Sequence, residues 1–160
     1  MTGLPALRII GCGSRSWADA ALVDTTVARL AGRYRVVAAA HGAQRGADTL
    51  FGAACRTAGI DVRSFPADWD RLGNPAGMIR NRQMLDWLLA DTTAAGDLGG
   101  PAAVRLGVVA FHDTFDEHAR RGAGTAGMVR IARSAGVPAL VVSHAGTQLL
   151  APTGQPALPV

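Results

Sequence analysis

Residues 35–65, RVVAAAHGAQRGADTLFGAACRTAGIDVRSF, decide the fold. RVVAAAH (35–41) is a continuous apolar run, the signature of a strand covered on both faces. ADTLFGAACRTAG (47–59) reads as a helix closed by its last glycine, and DVRSF (61–65) alternates as a further strand. Between the first strand and the helix lies HGAQRGAD, a glycine-rich turn with an arginine and an aspartate. Strand, helix and strand at this spacing form a βαβ unit with parallel strands, since a two-residue hairpin is replaced by a helical crossover.

The same grammar extends outward in both directions. LRIIGCG (7–13) reads as a buried strand ending in glycine, and ADAALVDTTVARLAG (18–32) as a helix stopped by Gly32. After a turn-rich connection, PADWDRLGNPAG (66–77), a helix runs from about Met78 to Ala90. Residues 91–103 read as a flexible surface insertion. VRLGVVAF (104–111) is a fourth strand, HDTFDEHARRGAG a long loop, TAGMVRIARSAG a helix and PALVVS (138–143) a fifth strand. The expected architecture is α/β: a Rossmann-like three-layer sandwich with a mainly parallel sheet of about five strands. Residues 1–143 form that domain. Residues 144–160, with three prolines and two glycines, read as an irregular C-terminal tail.

Composition narrows the partners. A chain of 160 residues with 49% apolar and 18% charged residues has the profile of one globular domain with a real core. All sixteen basic residues are arginine, and Glu117 is the only glutamate. The basic balance, +4 with a pI near 10.4, suits an anionic partner. The arginines are scattered with few aromatics between them, which argues against nucleic acid and for a smaller anion. Cys12 and Cys55 make no metal-ligand spacing and no disulfide framework, so a reducing cytoplasm is expected. The N-terminus lacks a signal-peptide pattern and no apolar run approaches membrane-spanning length, so no membrane association is expected.

In a parallel sheet the loops after each strand's carboxyl end gather on one edge, where ligands bind. Those loops here are GCGSRSWAD, HGAQRGAD, PADWDRLGNPAGMIRNR and HDTFDEHARRGAGTAG. Three are glycine-rich at a helix entry, which lets backbone N–H groups approach an anion that the helix dipole favours. Each carries arginine: Arg15, Arg45, Arg80 and Arg82, and the Arg120–Arg121 pair. Arg80 falls in the expected first helical turn, where the dipole disfavours a cation, and a local rule broken there points to a ligand anion. GCGSRS has Ser16 for the third glycine of a dinucleotide fingerprint, and the second strand ends in His41 rather than a ribose-binding acid. A Walker loop needs lysine, and the chain has none. No cofactor is implied. His112, Asp113, Asp116, Glu117 and His118 crowd one loop without the spacing that fixes metal ligands, and read as a mobile polar flap rather than a metal site. Ser14 reads as a hydroxyl donor to phosphate, since no base is placed beside it. Trp17, Trp69 and Phe111 fit either a core or a base-stacking role, with core the better fit for Phe111.

The stretches GSRSW, HGAQRGAD, FPADWDRLGNPAGMIRNRQML and GTAGMVRIARSAGVP resemble the SLOG superfamily, most closely its YspA-related branch. The resemblance implies a Rossmann-like fold binding nucleotides or nucleotide-derived ligands at the strand ends. Its relatives include cytokinin-activating phosphoribohydrolases, the DNA-binding protein DprA and sensors of ADP-ribose-type signals. By matched position it implies ligand roles for Gly13, Ser14 and Arg15, for His41, Gly42, Arg45, Gly46 and Asp48, for Asn74, Arg80 and Asn81, and for Gly122, Gly124 and Thr125. The phosphoribohydrolase pattern P-G-G-x-G-T is followed by a catalytic glutamate, whereas this chain has Gly127 and Met128. Asp48, Arg80 and Glu117 remain as candidate catalytic groups. The leading expectation is binding of a nucleotide-derived phosphate ligand, sensing or sequestering an ADP-ribose-type or cyclic nucleotide signal. The alternatives are a nucleoside monophosphate N-glycosidase and a DprA-like DNA-associated module. Relatives pair through helices, so a homodimer or higher homo-oligomer is expected, with the MLDWLLA helix and Trp87 as a candidate surface or as core.

Overall fold

The computed structural model of the chain describes residues 3–90, 104–119 and 124–154. The elements follow in the order β1 (Ala6–Gly13), α1 (Ala20–Arg33), β2 (Arg35–His41), α2 (Ala47–Thr57), β3 (Val62–Ser64), α3 (Trp69–Leu72), α4 (Ala76–Leu89), β4 (Arg105–Phe111), α5 (Thr125–Ser134), β5 (Ala139–Ser143) and β6 (Gly146–Leu150). The strands form one six-stranded sheet in the order β3-β2-β1-β4-β5-β6. β1 to β5 are parallel, and β6 pairs antiparallel with β5.

Alternation along the strands sorts the core into two layers. Ile10, Cys12, Val108 and Ala110 pack with Met84, Leu85 and Leu88 of α4 and Met128, Val129 and Ala132 of α5. Leu7, Ile9, Val109 and Phe111 pack with Val23 and Val27 of α1 and Phe51, Ala54 and Cys55 of α2. Neighbours one residue apart in β1 and β4 thus feed opposite faces, as a period of two requires. Each large side chain buried this way contributes roughly 1.5–3 kcal/mol relative to exposure. Phe111 is core, as the sequence suggested, and Trp17 is buried beside it at a ring-centroid distance of 5.8 Å. Trp69 is 42% exposed on α3, and Trp87 is half-buried, edge-on to Phe65 with the Arg8 guanidinium over its ring.

The structure corrects three local expectations. Residues 144–160 were expected to be irregular, yet Gly146–Leu150 form β6. His144 and Ala145 make a two-residue turn between the paired Ser143 and Gly146, and Leu150 returns to pack on the core. Second, the connection at 66–77 contains the short helix α3, capped by Asp68, whose carboxylate accepts from the Arg71 N–H at 3.2 Å. Third, α4 begins at Ala76, because Pro75 has helical dihedrals (φ −68°, ψ −12°) and serves as its N-cap. Arg80 therefore lies in the second turn, not the first. The expected insertion at 91–103 lies outside the described residues, as do Arg120, Arg121 and Gly122. No described helix is long and apolar enough to cross a membrane.

Candidate functional site

The chain leaves β1 for β2 on one side, and β4 pairs on the other, so strand order reverses between β1 and β4. Ligands of open α/β sheets bind at such a reversal, beyond the carboxyl ends of the strands. Gly13 and Phe111 sit side by side at that end. The Ser14 N–H donates to the Phe111 carbonyl at 2.9 Å, and the Ala47 N–H donates to the Ser14 carbonyl at 3.1 Å. These bonds knit the loops after β1, β2 and β4 into one edge. Ser14 and Ser16 share a hydroxyl–hydroxyl bond of 2.8 Å. In the β2 loop Ala43 has φ 57°, a left-handed conformation that strains a residue with a Cβ.

A buried polar network lies beneath this edge. Asp48, Arg80 and Asn81 are 5%, 6% and 5% exposed, although such groups are rarely buried without partners. The Asp48 carboxylate accepts from the Gln44 N–H at 3.3 Å. Arg80 donates from a terminal guanidinium nitrogen to the Gly42 carbonyl and from Nε to Asn81 Oδ1 at 3.1 Å. Asn81 Nδ2 donates to the Gly124 carbonyl at 3.4 Å, which ties α4 to the start of α5. Gly42 is required here, because a Cβ would collide with the guanidinium and stand 2.9 Å from Asp48 Oδ2.

Burial dominates the electrostatics. It pushes the Asp48 carboxyl up to about 6, against the Gln44 hydrogen bond and the Arg80 charge, which pull it down. Burial also lowers the Arg80 pKa, while the Asp48 charge supports it. The buried Cys12 thiol is raised far above its ordinary value, chiefly by desolvation, and is unreactive as a nucleophile. His41 is held neutral by burial, then by the nearby Arg56 and Arg80 charges. Its Nδ1 accepts from the Ala43 N–H at 3.0 Å, so Nε2 carries the proton toward Ser64 Oγ at 3.3 Å.

Above the network opens a cleft of about 360 Å³, within the size range of small-ligand sites. It brings together Gly13, Ser14, Arg15, Arg45, Asp48, Arg80, Asn81, Gly124 and Thr125 from the four strand-end loops. His41, Gly42 and Gly46 stand behind the wall rather than in it, and Asn74 is an exposed residue ahead of α4. Glu117 is spent on an ion pair with Arg133, away from the cleft. Cys12, Ser16, Gln44, Met84, His112 and Met128 also line the cleft without having been singled out as ligand residues. Met84 lies one turn beyond Arg80, and Met128 one turn beyond Gly124, so helical spacing carried the signal. Gly127 and Met128 are buried in α5.

A larger cleft of about 570 Å³ shares Ser14, Ser16 and His112 and is completed by Trp17, Ala18, Asp19, Asp113, Thr114 and His144. Among the described residues it is lined by no arginine, so the smaller cleft is the one fitted to an anion. The helices facing that smaller cleft add to this fit. α2 and α5 begin with Gly46 and Gly124, which have no side chain with which to cap the first N–H groups. Arg15 and Arg45 are exposed at the mouth, while Arg80 is fixed at the base.

No curated protein and no solved structure matches the chain. Residues 7–72, from β1 through α3, match the family model described as YspA, cpYpsA-related SLOG family. Over that span, which holds the first two glycine–arginine loops, the chain is similar to the YspA-related SLOG family.

Proposed function

We propose that the protein binds a nucleotide or nucleotide-derived phosphate ligand in the cleft at the carboxyl edge of the sheet. The observation that carries this reading is Arg80. Its guanidinium is buried at the cleft base with Asp48, while Arg15 and Arg45 stand above it and Asp48 is the only acidic residue among the described residues of the lining. Phosphate would lie against the starts of α2 and α5, with charge-assisted bonds from Arg45 and Arg80 and a hydroxyl contact from Ser14. Asp48 or Asn81 would meet a ribose hydroxyl. Similarity to the YspA-related SLOG family over residues 7–72 supports the reading at the level of nucleotide-related ligands. Affinity without turnover suits the sensing or sequestering of an ADP-ribose-type or cyclic nucleotide signal.

Thermal unfolding in the presence of AMP, ADP, cyclic nucleotides and ADP-ribose tests it. A ligand at about 100 times its Kd adds about 2.7 kcal/mol of stability, a rise of several degrees in Tm. Arg45→Ala should shrink that rise while leaving the ligand-free Tm nearly unchanged, because Arg45 is exposed. A flat Tm across the whole panel would overturn the proposal.

One observation favours a second reading, an N-glycosidase acting on a nucleoside monophosphate. Asp48 exchanges its proton near pH 6, within reach of general acid–base work at neutral pH. Free adenine released from AMP, and lost in Asp48→Asn, would establish turnover. Binding without base release leaves the binding role alone.

A further inference from the structure

The turn between β5 and β6 places one side chain between two loops of the binding edge. His144 Nδ1 lies 2.9 Å and 2.8 Å from Asp113 Oδ1 and Oδ2, and its Nε2 lies 2.9 Å from Asp19 Oδ2. Its backbone N–H also donates to Asp113 Oδ1, at 2.8 Å. The ring stacks on Trp17, centroid to centroid at 4.7 Å with 15° between planes. A neutral imidazole has one N–H, and an ionised carboxylate only accepts. Both ring nitrogens can face carboxylates with hydrogen bonds satisfied only when the ring is an imidazolium.

The two carboxylates belong to different walls. Asp19 caps α1 by accepting from the Leu22 N–H at 2.9 Å, and its carbonyl accepts from Trp17 Nε1 at 3.2 Å. It therefore anchors the loop that carries Ser14 and Ser16. Asp113 stands next to His112, which lines the anion cleft. His112 also faces this cluster, and its Nδ1 accepts from the Thr114 N–H at 3.2 Å. Among the described residues, the titratable groups around His144 are thus Asp19 from the α1 entry and Asp113 with His112 from the β4 loop. Its own turn, Ser143 to Gly146, contributes no other.

We propose that His144 is a positioning residue for the ligand cleft: as imidazolium it clamps the β1 and β4 loops together, and its deprotonation releases them and weakens ligand binding. This rests on the function proposed above. Hydrogen bonds to Asp113, then to Asp19, raise the His144 pKa above its ordinary value, and the same bonds help to lower both aspartates. For a raised histidine the clamp is complete below the ordinary value of 6.5 and is lost as pH rises through the folded-state value. Ligand affinity should follow that loss.

Nitrogen-15 NMR of the histidine rings in the ligand-free protein, with calorimetric titration of ADP and inorganic phosphate between about pH 6 and about pH 9, tests the clamp. Both ring nitrogens of His144 should be protonated at neutral pH, with a midpoint above the ordinary value, and the amides of Ser16 and Thr114 should shift with the same midpoint. ADP affinity should fall about 5-fold or more across that midpoint. His144→Gln should bind at the weak level at every pH, so that the ratio of wild type to variant isolates His144 from Asp48 and His41. A His144 midpoint at or below its ordinary value overturns the proposal, as does a variant that keeps wild-type affinity and pH profile. If neither probe binds the wild type at any pH, the proposed function fails and the coupling fails with it, while the ring and amide titrations still decide whether the loops are clamped.

Discussion

A carboxylate and a guanidinium that are each about one-twentieth exposed have left water together, and the attraction between them does not by itself make that favourable. Asp48 expresses the cost as a carboxyl raised to about 6, with burial the largest cause. A raised acid contributes stability that is complete below its unfolded value near 3.9 and lost as pH rises through 6. Removing Arg80 takes away a charge that lowers the Asp48 pKa, so in Arg80→Met the Asp48 midpoint should move above 6, as read by carbon-13 NMR of the carboxyl. The variant should also lose more stability relative to wild type at about pH 8 than at about pH 5, where a protonated Asp48 no longer lacks a partner. His41 moves the same way, since Arg80 is one of the charges that hold it neutral. Urea unfolding at the two pH values checks this, and an equal loss at both would count against the coupling. Arg80 was legible in the sequence through its position near a helix start, although the helix begins earlier than its pattern indicated. Glu117 was not legible in the same way. It is the only glutamate, and composition made it conspicuous, but its partner Arg133 comes from α5, sixteen residues on.

Among the elements, the two glycine-started helices look alike in sequence and differ in physics. Gly46 has φ 80° and ψ −127°, a region that side chains avoid, and a Cβ there would press on the Ser14 and Arg15 backbone. Gly46→Ala should therefore cost about 2 kcal/mol or more in chemical unfolding, with an unchanged m-value. Gly124 has φ −85° and ψ −152°, and a Cβ there would meet nothing within 4 Å among the described residues. Serine fits that backbone and is a favoured cap. Gly124→Ser should keep or slightly raise stability, by a few tenths of a kcal/mol at most, yet weaken ligand binding because its hydroxyl competes with the anion for the first N–H groups of α5. Retained affinity in Gly124→Ser would show that this helix start does not meet the ligand. The helices and parallel strands were readable because their periodicity is local. α3 and β6 were not, since four residues of WDRL and five of GTQLL are too short to display a period, and β6 exists only by pairing with β5.

At the scale of the molecule, the sheet places chemistry where strand order reverses, and only part of that was written locally. That the loops after parallel strands share an edge followed from the alternation of strands and helices, which is why nine of the expected ligand residues line one cleft. The order β3-β2-β1-β4-β5-β6 and the return of His144 to Asp19, 125 residues away in sequence, are tertiary facts with no local signal. Phe111 shows how the core and the edge depend on each other. Its ring is fully buried against the α1 and α2 layer, while its carbonyl accepts from Ser14 and its strand position pairs with Gly13. Phe111→Ala should cost about 3–5 kcal/mol, a large share of the 5–15 kcal/mol typical of a domain. Leu88→Ala, equally buried two turns beyond Arg80 in the opposite layer, should cost about 2–5 kcal/mol. The two differ in what they do to binding. Loss of the Phe111 ring lets the β1 and β4 ends shift at the cleft, so ligand affinity should fall even under conditions where the variant remains folded. Leu88 is not itself among the residues that line the cleft and lies two turns along α4 from Arg80, so its variant should bind as wild type does below its own unfolding transition. Calorimetric titration at low temperature, with circular dichroism to verify the fold, separates the two outcomes. Equal affinity in both variants would mean that the strand ends are held by the loop hydrogen bonds alone, without help from the ring beneath them.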